Sequence, residues 1–243
     1  MCFNAALVQS AEIIEELYGA AYPEERFDMP AYFVSAFEHP RWPLLKQGDT
    51  RGFVPALWGL IPSWTKSADD AASIRDRTLN ARFETIDSKP SFRRLVNRRR
   101  CGVLVDGFVE WRHHAGRKYP YHIALPDKRP FLLAGLWDRW RDPGSDTELE
   151  SFTVVTVSAR GLPAQIHNTK KRMPFILGRE SGELWIRSEA SFEDIRPKLE
   201  PLYRTLEAWP VSRAVSMPGV EKNMPSIQEP QDYPGLPALE PPE

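Results

Sequence analysis

Short runs of apolar and β-branched residues, each cut off by proline or glycine, recur along the chain and limit the architectures open to it. They occupy residues 53–58, 101–105, 131–137, 152–157, 175–177 and 211–215. Such side chains suit a pleated, half-buried surface, and the frequent breaks deny them the length a helix needs. One segment differs in kind. Residues 10–18 place Ile13, Ile14 and Leu17 at helical spacing behind Ser10, with Gly19 just past the end; serine before and glycine after are helix start and stop signals. Residues 71–79 and 192–199 are further helix candidates, the second limited or bent by Pro197. Because the strands do not alternate regularly with long helices, a doubly wound fold is disfavoured. The expectation is an α+β single domain: a curved, mainly antiparallel, barrel-like β-sheet with flanking helices.

At 243 residues and 42% hydrophobic, the chain can bury one ordinary core. Residues 1–217 read as that domain. The last 26 residues, 218–243, hold seven prolines and few apolar groups, so this tail is expected to wrap loosely or to be disordered. With 32 Lys+Arg against 33 Asp+Glu, bulk charge cannot hold nucleic acid, and any such contact needs a local patch. Arg93, Arg94, Arg98, Arg99, Arg100, Arg112, Arg117 and Lys118, accompanied only by Asp106 and Glu110, form one candidate; a solvated basic loop reads the same way. Two cysteines without Cys-x-x-Cys spacing support neither a disulfide framework nor a zinc site, and no metal or cofactor is expected. There is no long apolar stretch, and Glu12, Glu15 and Glu16 stand where a signal peptide would be basic and then apolar. A cytoplasmic monomer with no membrane contact is the expectation.

Cys2 carries the least ordinary chemistry. Removal of Met1 would leave it a free α-amine beside a free thiol, a pair that only a chain terminus offers, because an internal nitrogen is tied up in an amide. The amine titrates at roughly 7.7–8.0 and the thiol at roughly 8.5, so part of each is nucleophilic near neutrality. A 1,2-aminothiol attacks an aldehyde twice, first forming a Schiff base and then closing a thiazolidine ring. An incidental residue after the initiator methionine would look the same.

Other residues add to this. Alternation along Leu79-Asn80-Ala81-Arg82 sends Asn80 and Arg82 to one side of a strand, where an amide orients oxygen atoms and a guanidinium forks a phosphate; a structural Asn with a surface Arg fits equally. Glu110 follows a strand-like run and stands between Val109 and Trp111, surroundings that would raise its pKa and suit it to general acid–base work. His167 could shuttle a proton, with Lys170, Lys171 and Arg172 toward phosphates. His113 and His114 diverge on a strand and make a poor metal pair, and Cys101 reads as a buried strand cysteine.

Taken in order, MCFNAAL, WGLIPSW, LNARFET, DGFVEW and IHNTKKRMP resemble the SRAP family, the SOS-response-associated peptidases or abasic-site processing proteins. The resemblance runs from Cys2 to about Val215. It implies a protein that covers abasic sites in single-stranded DNA through a covalent bond to its N-terminal cysteine, after Met1 leaves by self-processing or by methionine removal. It also implies AP-lyase-like activity. By position Cys2 matches the nucleophile, Asn80 the asparagine that positions it, Glu110 the glutamate that moves protons, and His167 the histidine that assists ring opening or reversal. Arg82 and Arg172 look like phosphate ligands, Thr156 lines the site, and Trp64 sits in a loop that in relatives presents apolar groups to unstacked bases. The chain departs from the common Cys-Gly-Arg start with Cys2-Phe3-Asn4, which removes one expected phosphate contact. Residues 31–43 also depart, and residues 65–78 read as an inserted helix near the site. Two other functions use the same residues: a cysteine peptidase in which His167 activates Cys2, and a noncovalent single-strand binding module.

Overall fold

The computed structural model describes residues 2–23, 27 and 29–240. Within them the chain enters with β1 (Asn4–Leu7) and α1 (Ala11–Tyr18), then runs through β2 (Ala31–Ser35), β3 (Arg41–Lys46), β4 (Asp49–Trp58), α2 (Ala68–Arg75) and β5 (Asn80–Arg82). The middle is almost all strand: β6 (Arg100–Val105), β7 (Gly107–His114), β8 (Arg117–Ala124), β9 (Phe131–Arg141) and β10 (Glu148–Ser158). Shorter elements follow: α3 (Gly161–Ile166), β11 (Arg172–Pro174), β12 (Ile176–Leu177), α4 (Arg179–Gly182), α5 (Phe192–Ile195) and β13 (Glu207–Pro210).

Five of these strands close on themselves. β10 runs parallel to β4, and β4–β3, β3–β6, β6–β9 and β9–β10 pair antiparallel, so the ring returns to its start. Closure leaves the ring without a free edge. The β3–β4 hairpin turns at Gly48, whose φ of 76° explains why a glycine stands there. Trp42, Phe53, Trp58, Phe152 and Trp185 are fully buried in the core. Each indole in this set has its N–H matched to a backbone carbonyl: Trp42 to Leu104 at 2.6 Å, Trp58 to Leu79 at 3.0 Å and Trp185 to Cys101 at 3.0 Å. Large rings are tolerated in a dry interior on that condition. A second sheet, in the order β13-β8-β7-β1-β2, contains the N-terminal strand. The architecture is thus the expected α+β barrel with flanking helices.

Helix α1 and Gly19, at φ 61°, agree with the sequence. Helix α2 begins earlier than the 71–79 expectation, because Ser67 takes the N-cap and its hydroxyl accepts from the Asp70 N–H. Pro197 falls in a 3-10 turn at Arg196–Lys198 and ends α5, as its ring requires. The strand expected at 211–215 is corrected: the ladder with β8 ends at Pro210, Ser212 caps a new turn by accepting from Ala214, and Arg213–Ser216 is a 3-10 helix. Glu110 lies within β7, in a hairpin that the sequence reading did not recognise. The tail wraps and is not disordered as far as residue 240. Tyr233 donates to Val211 O at 2.7 Å, Trp209 donates to Gln228 O at 2.7 Å, and Gln165 and Glu240 exchange two bonds. Among the described residues no helix is long and apolar enough to cross a membrane.

Arg100 leaves the expected basic patch altogether. It is wholly buried, and its guanidinium donates to Ser188 O at 2.6 Å, Trp185 O at 2.8 Å and Val96 O at 2.9 Å. Those carbonyls would lose their donor on truncation, so Arg100→Met is expected to cost about 3 kcal/mol of stability. Denaturant unfolding measures it; a loss below about 1 kcal/mol would show that the carbonyls find other partners.

Candidate active site around Cys2

All four residues of β1 are buried, and Cys2, just before it, is 1% exposed. Two contacts fix this cysteine. Its thiol donates to Asn4 O at 3.3 Å, and the Asn80 Nδ2 donates to the Cys2 carbonyl at 2.8 Å. Asn80 is delivered by β5, whose three residues pair in parallel with Val154, Val155 and Thr156 of β10. Its Oδ1 is buried without a partner, an acceptor left available beside the cysteine.

Glu110 is 4% exposed, and its carboxyl is pushed up to about 7, burial being the main cause. The backbone N–H of Trp111 donates to it and works in the opposite direction. The Cys2 thiol is pushed up to about 12, first by burial and then by the charge of Glu110, so the two groups lie within electrostatic reach. Near neutral pH the thiol therefore keeps its proton, while the carboxyl is close to half ionised.

His167 follows α3 and ends it. Its Nδ1 is 2.7 Å from Arg172 O and 3.1 Å from Arg172 N. The shorter contact is met by the tautomer protonated at Nδ1, which makes Nε2 the accepting nitrogen. Burial lowers the pKa of His167 from the ordinary histidine value, which favours the neutral ring. The next residue, Asn168, bonds to His113 on β7, so the histidine is tied to the strand that carries Glu110.

The remaining expected residues divide. The Arg172 guanidinium holds Glu84 with two bonds, at 2.6 and 3.0 Å, and the Thr156 carbonyl and hydroxyl at 2.6 and 3.1 Å. Its fork is directed at protein groups, and it braces β10 against the turn after β5. Thr156 is fully buried and donates to Ala81 O at 3.3 Å. Arg82 is exposed, opposite Thr156 in the parallel register. Trp64 is 48% exposed on a loop tied to β9 through Ser63 N to Asp138 at 2.7 Å and Trp140 Nε1 to Thr65 O at 2.8 Å. Its neighbourhood is β9; no contact joins it to the Cys2 group among the described residues.

Three features escape the sequence reading. Asn4, treated as a lost phosphate contact, is buried and bonded to Val109. Glu84 serves as the counter-ion of Arg172. Phe37 is 62% exposed and packs against Phe3, beside Cys2, with ring centroids 4.9 Å apart. The departure at residues 3 and 4 was the one signal available for Phe3 and Asn4; an isolated loop phenylalanine gives none.

Comparison with known proteins follows the same outline. The family model for SRAP, the SOS response associated peptidase, matches residues 1–218. The chain is similar to the abasic site processing protein YoqW of Bacillus subtilis, 30% identical over 217 residues, which cover 84% of this chain and 92% of YoqW. To the abasic site processing protein HMCES of Gallus gallus it is 36% identical over 149 residues, 53% of this chain and 43% of HMCES. A crystal structure of a protein from Bacteroides thetaiotaomicron superposes with a TM-score of 0.86 at 34% identity, covering 95% of this chain and 100% of that one. With the barrel, the N-terminal strand and every site residue inside the matched span, the chain belongs to the SRAP family.

Proposed function

We propose that this chain captures abasic sites in single-stranded DNA as a thiazolidine adduct on Cys2 once Met1 has been removed. The observation that carries the reading is the placement of a buried Cys2, its carbonyl held by Asn80 at 2.8 Å, within electrostatic reach of a carboxyl poised near pH 7. The names of YoqW and HMCES as abasic site processing proteins support the same substrate.

The chemistry balances without an added reagent. The ring-opened sugar presents its C1′ aldehyde, the Cys2 amine adds to it, and loss of water gives an iminium. The sulfur then adds to the same carbon, and its proton goes to a base, leaving one water and a five-membered ring as products. A thiol held near 12 does not ionise in advance, so it needs an adjacent acceptor as it attacks. Glu110 is that acceptor, and in its protonated form it supplies the proton for the departing hydroxyl. His167, neutral and pinned through Nδ1, assists opening of the sugar. The iminium also acidifies the neighbouring C2′ proton, so slow strand cleavage is the side reaction. Arg82 meets a backbone phosphate, and the exposed Trp64 and Phe37 rings stack on unpaired bases, which favours single strands over duplex. The cysteine peptidase reading uses the same residues and meets the same un-ionised thiol; activity with Met1 still attached would favour it over capture.

Incubating Met1-processed protein with single-stranded DNA carrying an abasic site should give a heat-stable adduct, absent with Cys2→Ala. An adduct of equal yield from Cys2→Ala, or none from the wild type, removes the reading, and equal affinity for intact and abasic strands without an adduct leaves noncovalent binding. To take the thiol's proton in ring closure the carboxyl must be ionised, so that step slows as the carboxyl becomes protonated. Where ring closure limits the rate, the adduct rate on saturating DNA should rise with pH through the titration of Glu110, which burial holds above the ordinary carboxylate range. In Glu110→Gln the rate should fall by roughly 100-fold and the carboxyl's inflection vanish, leaving only the rise from the α-amine at roughly 7.7–8.0; survival of the lower inflection would assign it to another group.

A further inference from the structure

Strand β7 has two unlike edges. Along one it is zipped to β8, from Gly107 against Ala124 to His114 against Arg117. Along the other, pairing with β1 is confined to Ala6 and Gly107. Continued in register, that ladder would set Asn4 against Val109 and Cys2 against Trp111. The Asn4 side chain reaches across instead: Nδ2 donates to Val109 O at 2.9 Å, and Oδ1 accepts from the Val109 N–H. Four residues along the same edge, Asn168 repeats the arrangement, accepting from the His113 N–H at 3.0 Å and donating to His113 O at 2.8 Å. A carboxamide presents one donor and one acceptor side by side, which is what an opposing strand residue would offer.

Between the two amides lies Trp111, whose backbone N–H favours the ionised Glu110 carboxyl against the effect of burial. A continuous neighbouring strand would claim that N–H and fill the space beside it. Two amides satisfy the edge on either side and leave the middle to the acid. Asn4 follows Cys2 by two residues, and Asn168 follows His167 directly.

We propose that Asn4 and Asn168 are positioning residues: their amides replace a missing length of strand along β7 and hold Cys2, Glu110 and His167 at fixed spacing. This deepens the covalent-capture reading and rests on it. Asn4 sets the nucleophile's strand against the acid's strand, and Asn168 sets the histidine's turn against the same strand, so all three groups share one reference edge. Neither asparagine touches the substrate.

Asn168→Ala is the cleaner test, since His113 is exposed and its bonds contribute little to global stability. Amide hydrogen exchange followed by NMR should show lost protection at the His113 N–H, with the melting temperature nearly unchanged. On abasic single-stranded DNA, adduct formation at saturation should slow roughly tenfold while the affinity stays within about twofold, the split expected of a misplaced reacting group. Asn4→Asp keeps the acceptor and removes the donor, and should slow the same step. If it does not fold, Asn168→Ala decides alone. An unchanged saturating rate, or a loss confined to DNA affinity, overturns the proposal. Should the wild type form no adduct at all, the capture reading fails. The positioning claim is then judged by the 13C resonance of the Glu110 carboxyl, which moves in Asn168→Ala if the clamp places that group and stays still if it does not.

Discussion

The site depends on burying the N-terminal strand. β1 is four residues long and buried throughout, with β2 on one edge and β7 on the other. A strand so short has little ladder of its own, and each unpaired amide in a dry interior costs about as much as a lost hydrogen bond. The chain meets that demand with side chains: Asn80 holds the Cys2 carbonyl, Asn4 joins Val109, and Asp106 accepts from the N–H groups of Val8 and Gln9. A terminus that would ordinarily fray is thereby fixed at both ends of its strand.

The same burial sets the electrostatics. Removing water penalises the charged form of every group, and it drives the Cys2 thiol, the Glu110 carboxyl and the His167 imidazole toward their neutral states. A neutral thiol is a poor nucleophile on its own and is protected from casual oxidation. Its reactivity then depends on a base arriving at the right distance. In the mechanism proposed above that base is Glu110, whose carboxyl the same burial pushes up to about 7. Desolvation thus acts on the thiol and the carboxyl together, and the charge of Glu110 adds to the rise at Cys2.

How far the sequence disclosed this varies by element and for physical reasons. β4, β6, β9 and β10 line the closed barrel, so they read as continuous apolar runs and were legible. β7 was read only in part, with His113 and His114 on a strand but Glu110 placed after one, and β8 was not read, because the hairpin tip Ala115-Gly116-Arg117-Lys118 is polar and resembles a loop. The turn itself is made by Ala115 and Gly116 at φ 47° and 74°, and alanine gives no warning of a left-handed conformation. Arg100 was read as a surface cation because its acceptors, the carbonyls of Trp185 and Ser188, lie 85 and 88 residues away. Asn4 was misread for the same reason, its partner being 105 residues distant. Cys2, Asn80, Glu110 and His167 stand out as candidates from their motifs, whereas the bonds of Asn4 and Asn168 to β7 belong to tertiary structure.

Arg172 shows how a charged residue next to such a site can be structural without losing its consequence for chemistry. Its guanidinium is mostly buried, paired with Glu84 at 2.6 Å, and bonded to Thr156 on β10. Exchanging such a pair for apolar groups can be neutral, whereas removing one partner strands a charge. The pair therefore matters less as a source of stability than as a constraint. It locks the turn after β5 to β10, and β5 carries Asn80. Because Arg172 O also receives the His167 ring at 2.7 Å, one residue sets the histidine through its main chain and the asparagine's strand through its side chain. The positions of Asn80 and His167 are thus tied to a residue whose own side chain is committed to Glu84 and Thr156.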